Sequence, residues 1–223
     1  MPNLEKVLQK YCKVVLIAIF VVALFLRWLY LPQNAISFAY DQARDAFLVQ
    51  DLLHGDLKLL GPSVSGVPGL YHGVLYYYII ALPYLIGHGN PVFVAYFLSF
   101  ISSLVVFLVF YLSFLLTKKY VPSILSALIF AFSFEATQYA NLLTNASMGV
   151  WFVPIVYIAI LLESPILLGL AFGLSVQSEV ALLYHLVPIF VLTYKKFNFK
   201  ETGLRKKYYD NKDDALIMTL YLK

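Results

Sequence analysis

The stretch that decides the fold is PVFVAYFLSFISSLVVFLVFYLSFLL at residues 91–116, which contains no charged side chain. About 20 consecutive apolar residues are enough for a helix to cross the hydrocarbon core of a bilayer. A second run, VVLIAIFVVALFLRWLYL at residues 14–31, has the same character except for Arg27. Because Arg27 lies near the far end of this run, we expect its charged head to reach the membrane interface. Both runs predict membrane-spanning helices.

The composition of the whole chain agrees with this prediction. Its 223 residues are 61% hydrophobic and 13% charged, and the mean hydropathy is +0.80. Soluble domains are about 45–50% apolar and about 25% charged, which argues against a soluble globular enzyme, a disordered chain and a nucleic-acid-binding domain. The single cysteine, Cys12, excludes a disulfide framework and a cysteine-based zinc site. We therefore predict an all-α fold, a polytopic membrane helical bundle with about five to six spans.

Polar and turn residues divide the apolar sequence into separate predicted spans. Three polar residues at 177–179 interrupt the last apolar stretch, which is either a hairpin of two short segments or one kinked helix. The predicted spans lie near residues 13–31, 91–116, 120–135, 146–162 and 165–194.

The distribution of charge sets the expected sidedness. Residues 1–194 carry equal numbers of acidic and basic side chains, whereas the tail at 195–223 carries eight basic and four acidic ones. Lysine and arginine favour the cytoplasmic side, so we expect a cytoplasmic N-terminus, a cytoplasmic tail and the hairpin in the last stretch. The short aromatic segment 72–87 either spans or lies flat at the interface. Flat placement is favoured because it puts Lys118 and Lys119 on the cytoplasmic side.

This arrangement makes residues 32–90 one large external loop with interfacial helices near 41–54 and 72–87. It predicts a multi-pass integral protein of the plasma membrane or an equivalent membrane, with membrane lipids as neighbours and no nucleic-acid partner. Polar residues are costly in such a protein and are therefore informative about function.

The first external helix carries the strongest candidate chemistry. Residues 38–60 read FAYDQARDAFLVQDLLHGDLKLL, in which helix formers dominate and Gly55 ends the helix. Asp41 and Asp45 are four residues apart and share one face, with Arg44 beside them. Two carboxylates so placed can separate their pKa values, and Arg44 can offset their repulsion or bind an anion.

Structural roles are the alternative for the same carboxylates. Asp41 is also a suitable N-cap, although Arg44 in the third helical position then gives no capping box. Asp45, Asp51 and Asp56 are expected to form a solvated face of the helix and the turn that follows it.

Other polar residues of the external loops are candidate substrate contacts. His72 follows the loop GPSVSGVPGLY and precedes a run of tyrosines, and Glu135 ends an apolar run, where it is expected to face protein or a water-filled cavity. Glu179 and His185 are expected to make a buried polar contact rather than to act in catalysis.

The histidines and carboxylates show no metal-ligand spacing, so the sequence requires no cofactor, while a carboxylate-bound divalent metal stays compatible with it. The predicted substrate-binding set is Arg44, Asp45, Lys58, His72, Tyr76, Glu135 and Asn145.

Several of these segments, in this order, resemble the N-terminal half of a GT-C glycosyltransferase. The family includes the protein O-mannosyltransferases and the lipid A aminoarabinose transferases, and the resemblance covers roughly residues 10–194. A single span is followed by YDQARDAFLVQDLLHGDL, a Gly66-Val67-Pro68 turn, YHGVLYYY, long spans and a second external loop with TNAS. The sequence departs from the family pattern at Gln42, Val74 and Asn145, where many members have an acid, a proline and an aspartate.

The resemblance implies a GT-C-like bundle that moves a sugar from a polyprenyl-phosphate donor to an external lipid, glycan or protein acceptor. Asp41 would be the general base of this hexosyl- or pentosyltransferase. Arg44, His72 and Lys58 would stabilise the leaving phosphate, Tyr76 would line the lipid or sugar path, and Glu135 and Asn145 would position the acceptor.

The length of the chain suggests alternative functions. Members of the family are about twice as long, so a changed or truncated C-terminus is expected at the basic tail. The alternative function is an inactive or split membrane module that acts as a subunit of a larger complex. A small transporter ranks last, because only Glu179 and Arg27 place a charge within a predicted span.

Overall fold

The computed structural model describes residues 2–64, 67–196, 200–209 and 213–219. The described chain is mostly helical. Its helices are α1 (Pro2–Trp28), α2 (Tyr40–Leu53), α3 (Leu75–Ile86), α4 (Pro91–Thr117), α5 (Tyr120–Phe132), α6 (Phe134–Asn141), α7 (Gly149–Leu161), α8 (Pro165–Ser178) and α9 (Leu186–Lys196), with short 3-10 turns at Leu31–Gln33, Asn145–Met148 and Val180–His185.

The basic tail differs from the predicted all-α fold. Strands β1 (Lys200–Tyr209) and β2 (Asp213–Thr219) pair antiparallel, with Leu204 opposite Leu216. A two-stranded hairpin forms from contacts between its own strands, so the helical periodicity of residues 1–194 gives no indication of it.

Two helical stretches are long and apolar enough to cross a bilayer, namely Leu4–Gln33 and Pro91–Thr117. Helices α5 and α6 form a third candidate if they count as one span, although they bend by 53° at Ser133. These stretches are consistent with a membrane protein. The other apolar helices of the described chain, including α7 and α8, are shorter than a span of about 20 residues. The structure thus supports two to three spans by length, and the larger expected number is not established.

Helix α4 is the central element, and its ends follow from its sequence. Asn90 caps its start by accepting a hydrogen bond from Val92 N at 2.9 Å, and Pro91 occupies the first helical position. Lys118 ends it in the left-handed conformation, with φ of 55°. The buried small residues Ser99, Ser102 and Ser103 lie on α4. Two of their hydroxyl groups, those of Ser99 and Ser103, donate to carbonyls of the preceding turn.

Helix α1 runs antiparallel to α4. At one end of the bundle, the Glu5 carboxylate accepts hydrogen bonds from Tyr120 N and from Val121 N. At the other end, Trp28 donates to Ser99 Oγ at 2.9 Å. We call the first end the turn end, and the second, which carries residues 32–90, the loop end.

Helix α3 starts and finishes at the loop end. It begins just after His72, and its last turn leads through Gly87 directly into α4, whose start lies beside Trp28. Its buried residues Ile80 and Tyr84 belong to the same core cluster as Val94 of α4. Segment 72–87 therefore does not connect the two ends of the bundle, which agrees with the flat placement.

The last apolar stretch, residues 165–194, changes direction at Glu179. Helix α8 leaves the end of α7 and brings Ser178 to Asn145, just before α7 begins. The chain then returns along α7, since Leu182 lies next to Gly149 and His185 Nδ1 lies 3.2 Å from Tyr157 Oη. The return ends with Leu192 in a groove of about 200 Å³ beside the ends of α4 and α7. The path is that of a hairpin.

Arg27 does not reach an interface, contrary to expectation. Its side chain is buried, and Nη1 donates to Ala23 O at 3.0 Å and to Ala131 O at 3.5 Å, while the guanidinium lies over the Phe130 ring. The last carbonyls of a helix lack partners within it, and α5 ends at Phe132. Arg27 therefore satisfies a carbonyl that the bend between α5 and α6 leaves open.

Candidate functional site

Helix α2 presents Asp41 at its start, but Asp41 is not the cap. The helix begins at Tyr40 with Ala39 in the cap position. The Gln42 side chain accepts a hydrogen bond from Ala39 N at 2.9 Å, which is the returning half of a capping box. The interpretation of Asp41 as N-cap, with Arg44 in the third position, is therefore wrong. Asp41 lies in the first turn, where a carboxylate is stabilised by the helix dipole.

Arg44 joins the two carboxylates of this face. Its Nη1 lies 2.9 Å from Asp41 Oδ1, and its Nε and Nη2 lie 2.9 and 2.8 Å from Asp45 Oδ1. The predicted placement of the guanidinium beside both carboxylates is confirmed. The two acids differ in environment, since the side chain of Asp41 is 61% exposed and that of Asp45 only 3%.

Asp45 was expected on a solvated face, and that expectation is wrong. Besides Arg44, its Oδ1 accepts a hydrogen bond from Tyr77 Oη at 3.3 Å, because α2 packs against α3. Burial raises the pKa of Asp45, and the neighbouring Arg44 offsets this only in part. Its Oδ2 is enclosed without a hydrogen-bond partner among the described residues. Asp41 is therefore the carboxylate of the pair that is open to an incoming molecule.

The tyrosine run divides between core and surface. Tyr76 and Tyr77 are buried, and Tyr76 Oη has no hydrogen-bond partner in the described chain. Burial, followed by the charge of Asp45, raises the pKa of Tyr76. Tyr78 is exposed and donates to Lys58 O at 3.0 Å. Of the three tyrosines, only Tyr78 has the exposure that a membrane-interface anchor needs.

Lys58 is already paired with carboxylates. Its Nζ lies 3.2 Å from Asp51 Oδ2 and also contacts Asp56 Oδ2. Both acids are exposed, as expected of a solvated face. Arg44 is likewise paired with two carboxylates, but its side chain is 28% exposed and that of Lys58 only 15%, which makes Lys58 the weaker candidate for anion binding.

A second polar cluster brings together His72, Asn145 and Glu179. His72 Nδ1 lies 3.0 Å from Glu179 Oε1, and Asn145 Nδ2 lies 3.0 Å from Glu179 Oε2. Asn145 also donates to Ser178 O at 3.2 Å. The expected contact between Glu179 and His185 is wrong, because His185 pairs with Tyr157 instead. Sequence reasoning did not assign Glu179 to the site, although a carboxylate in an apolar stretch signals a polar partner.

The loop before His72 is tied to the cluster by its backbone. Gly61 N donates to His72 O at 3.2 Å, and His72 N donates to Pro62 O at 2.8 Å. Gly69 turns the loop with φ of 80°, a conformation that favours glycine. Gly66, which begins the predicted Gly66-Val67-Pro68 turn, lies outside the described residues.

Glu135 stands apart from both clusters. It is exposed in the first turn of α6, where the helix dipole favours an acid, and it does not face the protein interior as expected. Within the described ranges, no three His, Cys, Asp or Glu side chains lie close enough to hold a metal ion.

Each of the two clusters includes a residue at or just before the start of α3. Tyr77, which contacts Asp45, lies in the first turn of this helix, and His72 lies three residues before the helix begins. Four predicted site residues, Asp41, Arg44, His72 and Asn145, are thus carried at the loop end of the bundle. The site combines an exposed carboxylate with a guanidinium and an imidazole.

Comparison of the chain with protein-family models, with curated proteins and with solved structures finds no match. The resemblance to GT-C glycosyltransferases therefore stays a prediction, and a functional assignment has to depend on the geometry of the loop end.

Proposed function

We propose that the chain is a membrane glycosyltransferase of GT-C type that transfers a sugar from a polyprenyl phosphate to an acceptor. The loop end would face the external side of the membrane. The observation that carries the proposal is the exposed Asp41 carboxylate, held beside Arg44 at the end of a bundle with helices long enough to span.

Asp41 would act as the general base. A base must lie within hydrogen-bond reach of the proton that it removes, and Asp41 Oδ2 makes none of the hydrogen bonds found among the described residues. In the reaction, the acceptor O–H or N–H proton moves to Asp41. The freed electron pair of the acceptor attacks the anomeric carbon from the face opposite the phosphate. The bond between that carbon and the phosphate oxygen breaks with inversion, and its electron pair leaves with the lipid phosphate.

The leaving phosphate needs positive charge or hydrogen-bond donors more than it needs an acid. Preorganised donors at the position of developing charge are a large source of catalysis. Arg44 is fixed by Asp45 through two nitrogens and is still partly exposed. His72 is the second candidate donor at the same end. The planar guanidinium can donate to two oxygens of a phosphate at once, which supports a phosphorylated donor over a neutral one.

Transfer of radiolabelled sugar from a polyprenyl-phosphate donor, measured in membranes that contain the full chain, tests the proposal. Asp41→Asn removes the base and is expected to lower transfer by roughly 100-fold or more. Asp51→Asn is the matched control, because Asp51 is an exposed, ion-paired carboxylate of the same helix. Equal transfer by the wild type and Asp41→Asn would rule out the assigned base.

A further inference from the structure

Glu179 lies where the last apolar stretch breaks. Helix α8 ends at Ser178, and the Glu179 side chain caps the following turn by accepting from Ala181 N at 3.1 Å. One oxygen of the same carboxylate lies 3.0 Å from His72 Nδ1, and the other accepts a hydrogen bond from Asn145. A single carboxylate thus links the segment before α3, the turn before α7 and the end of α8.

The contacts of His72 fix the direction of its ring. Nδ1 lies 3.0 Å from Glu179 Oε1 and 3.3 Å from Val180 N. When Nδ1 carries a proton it donates to the carboxylate, and when it does not it accepts from the backbone N–H. The ring therefore keeps one orientation in either form. Nε2 has no hydrogen-bond partner in the described chain and is not among its enclosed polar atoms.

This is the geometry in which a carboxylate holds one nitrogen of an imidazole and leaves the other free to act. The backbone next to the pair is equally constrained. A Cβ atom on Gly73 would lie only 2.1 Å from Gln177 O. The backbone segments that carry His72 and Glu179 are therefore in close contact.

We propose that Glu179 is a positioning residue, which orients His72 so that Nε2 faces the phosphate of the donor. Asn145 in turn holds Glu179 and does not itself contact the acceptor. This inference rests on the proposed function for the identity of the ligand. The orientation of the ring by Glu179 is independent of it.

The pair Glu179–Asn145 allows a reciprocal exchange. Glu179→Gln leaves a single oxygen on the side chain, which can accept either from Asn145 or from Ala181 N, so one hydrogen bond is lost. In the double variant Glu179→Gln/Asn145→Asp the donor and the acceptor change places. The hydrogen bond between residues 145 and 179 returns, whereas the one that Asn145 donates to Ser178 O is lost. Glu163→Gln, the same chemical change at the turn end, is the matched control.

The readout is modification of His72 by diethylpyrocarbonate, followed by mass spectrometry in the full chain, with exposed His54 as internal reference. Undecaprenyl phosphate should protect His72 in the wild type. Glu179→Gln should raise the concentration needed for half-protection by roughly 10-fold or more, the size of effect known for residues that orient a histidine. The concentration needed for half-protection should return toward the wild-type value in the double variant. In Glu163→Gln it should equal the wild-type value.

The outcomes separate the two proposals. If the rate of His72 modification is the same in the wild type, Glu179→Gln and the double variant, Glu179 does not position the ring, and this inference is overturned. If that rate changes in Glu179→Gln and is restored in the double variant while undecaprenyl phosphate protects none of the three, the positioning role holds. The donor assignment of the proposed function then fails.

Discussion

Gly73→Ala is the substitution that most sharply tests the packing of the loop end. A Cβ atom at this position would lie 2.1 Å from Gln177 O and 2.5 Å from Gln177 Cα, whereas ordinary contacts are 3.4–4 Å. Because the contacting atoms belong to the backbone, the segment before α3 must move about 1 Å away from α8, and overpacking of this kind costs about 1–3 kcal/mol. The separation would also pull His72 away from Glu179. Sugar transfer should therefore fall by more than the decrease in the amount of folded protein explains.

Gly173→Ala is the control for this prediction. It makes the same change within α8, where a Cβ atom meets nothing within 4 Å. Alanine in place of glycine stabilises a helix interior by about 0.5–1 kcal/mol. The two variants should therefore differ by about 1.5–4 kcal/mol, which corresponds to roughly 3–16 °C in melting temperature for a chain of this size.

Thermal unfolding in detergent, followed by the fluorescence of Trp28 and Trp151, measures this difference. Trp28 packs on Tyr96, and Trp151 is buried in the same core cluster as α3 residues. If Gly73→Ala melts at or above the temperature of Gly173→Ala, the close contact of Gly73 with Gln177 of α8 is wrong.

Two further variants address the buried charges. Burial raises the pKa of Asp45, so the folded chain binds that proton more tightly than the unfolded chain, and the contribution of Asp45 to stability falls as pH rises through the raised pKa. The melting temperature of Asp45→Asn minus that of the wild type should therefore increase between about pH 4 and about pH 7; a constant or decreasing difference contradicts the burial of this carboxyl. Arg27→Met removes a buried charge whose Nε and Nη2 are enclosed without partners in the described chain, together with the hydrogen bond to Ala131 O. Because replacing a buried charge by an apolar side chain is often neutral or stabilising, the variant should melt at or above the wild-type temperature. A melting temperature below that of the wild type would show that the hydrogen bond to Ala131 O outweighs the cost of the buried guanidinium.

The sequence predicted the helices whose boundaries are marked by local chemistry. Helix α4 begins at Asn90-Pro91 and ends at Lys118, as the apolar run and its flanking residues indicate. Helices are present near 41–54 and 72–87, as α2 at Tyr40–Leu53 and α3 at Leu75–Ile86, and their interfacial placement stays a prediction. Helix α2 packs on α3, and α3 packs on α4.

The remaining features depend on contacts between segments that are distant in sequence. The burial of Asp45 follows from the packing of α2 on Tyr77, more than thirty residues away, and four-residue spacing cannot tell which acid faces the neighbour. The carbonyl that Arg27 satisfies becomes open only because α5 and α6 bend at Ser133. The partner of Glu179 is His72, which precedes it by 107 positions, so periodicity could indicate only that some partner was required.

The most direct test of the account is the sidedness of the loop end. Single cysteines at Leu59, which is 85% exposed, and at Lys119, in a chain whose Cys12 is replaced by serine, can be labelled in intact cells with a membrane-impermeant maleimide. The account predicts that Leu59→Cys is labelled from outside and that Lys119→Cys is labelled only after the membrane is permeabilised. Labelling of both cysteines from one side, or of Leu59→Cys only after permeabilisation, would contradict an external site built around Asp41.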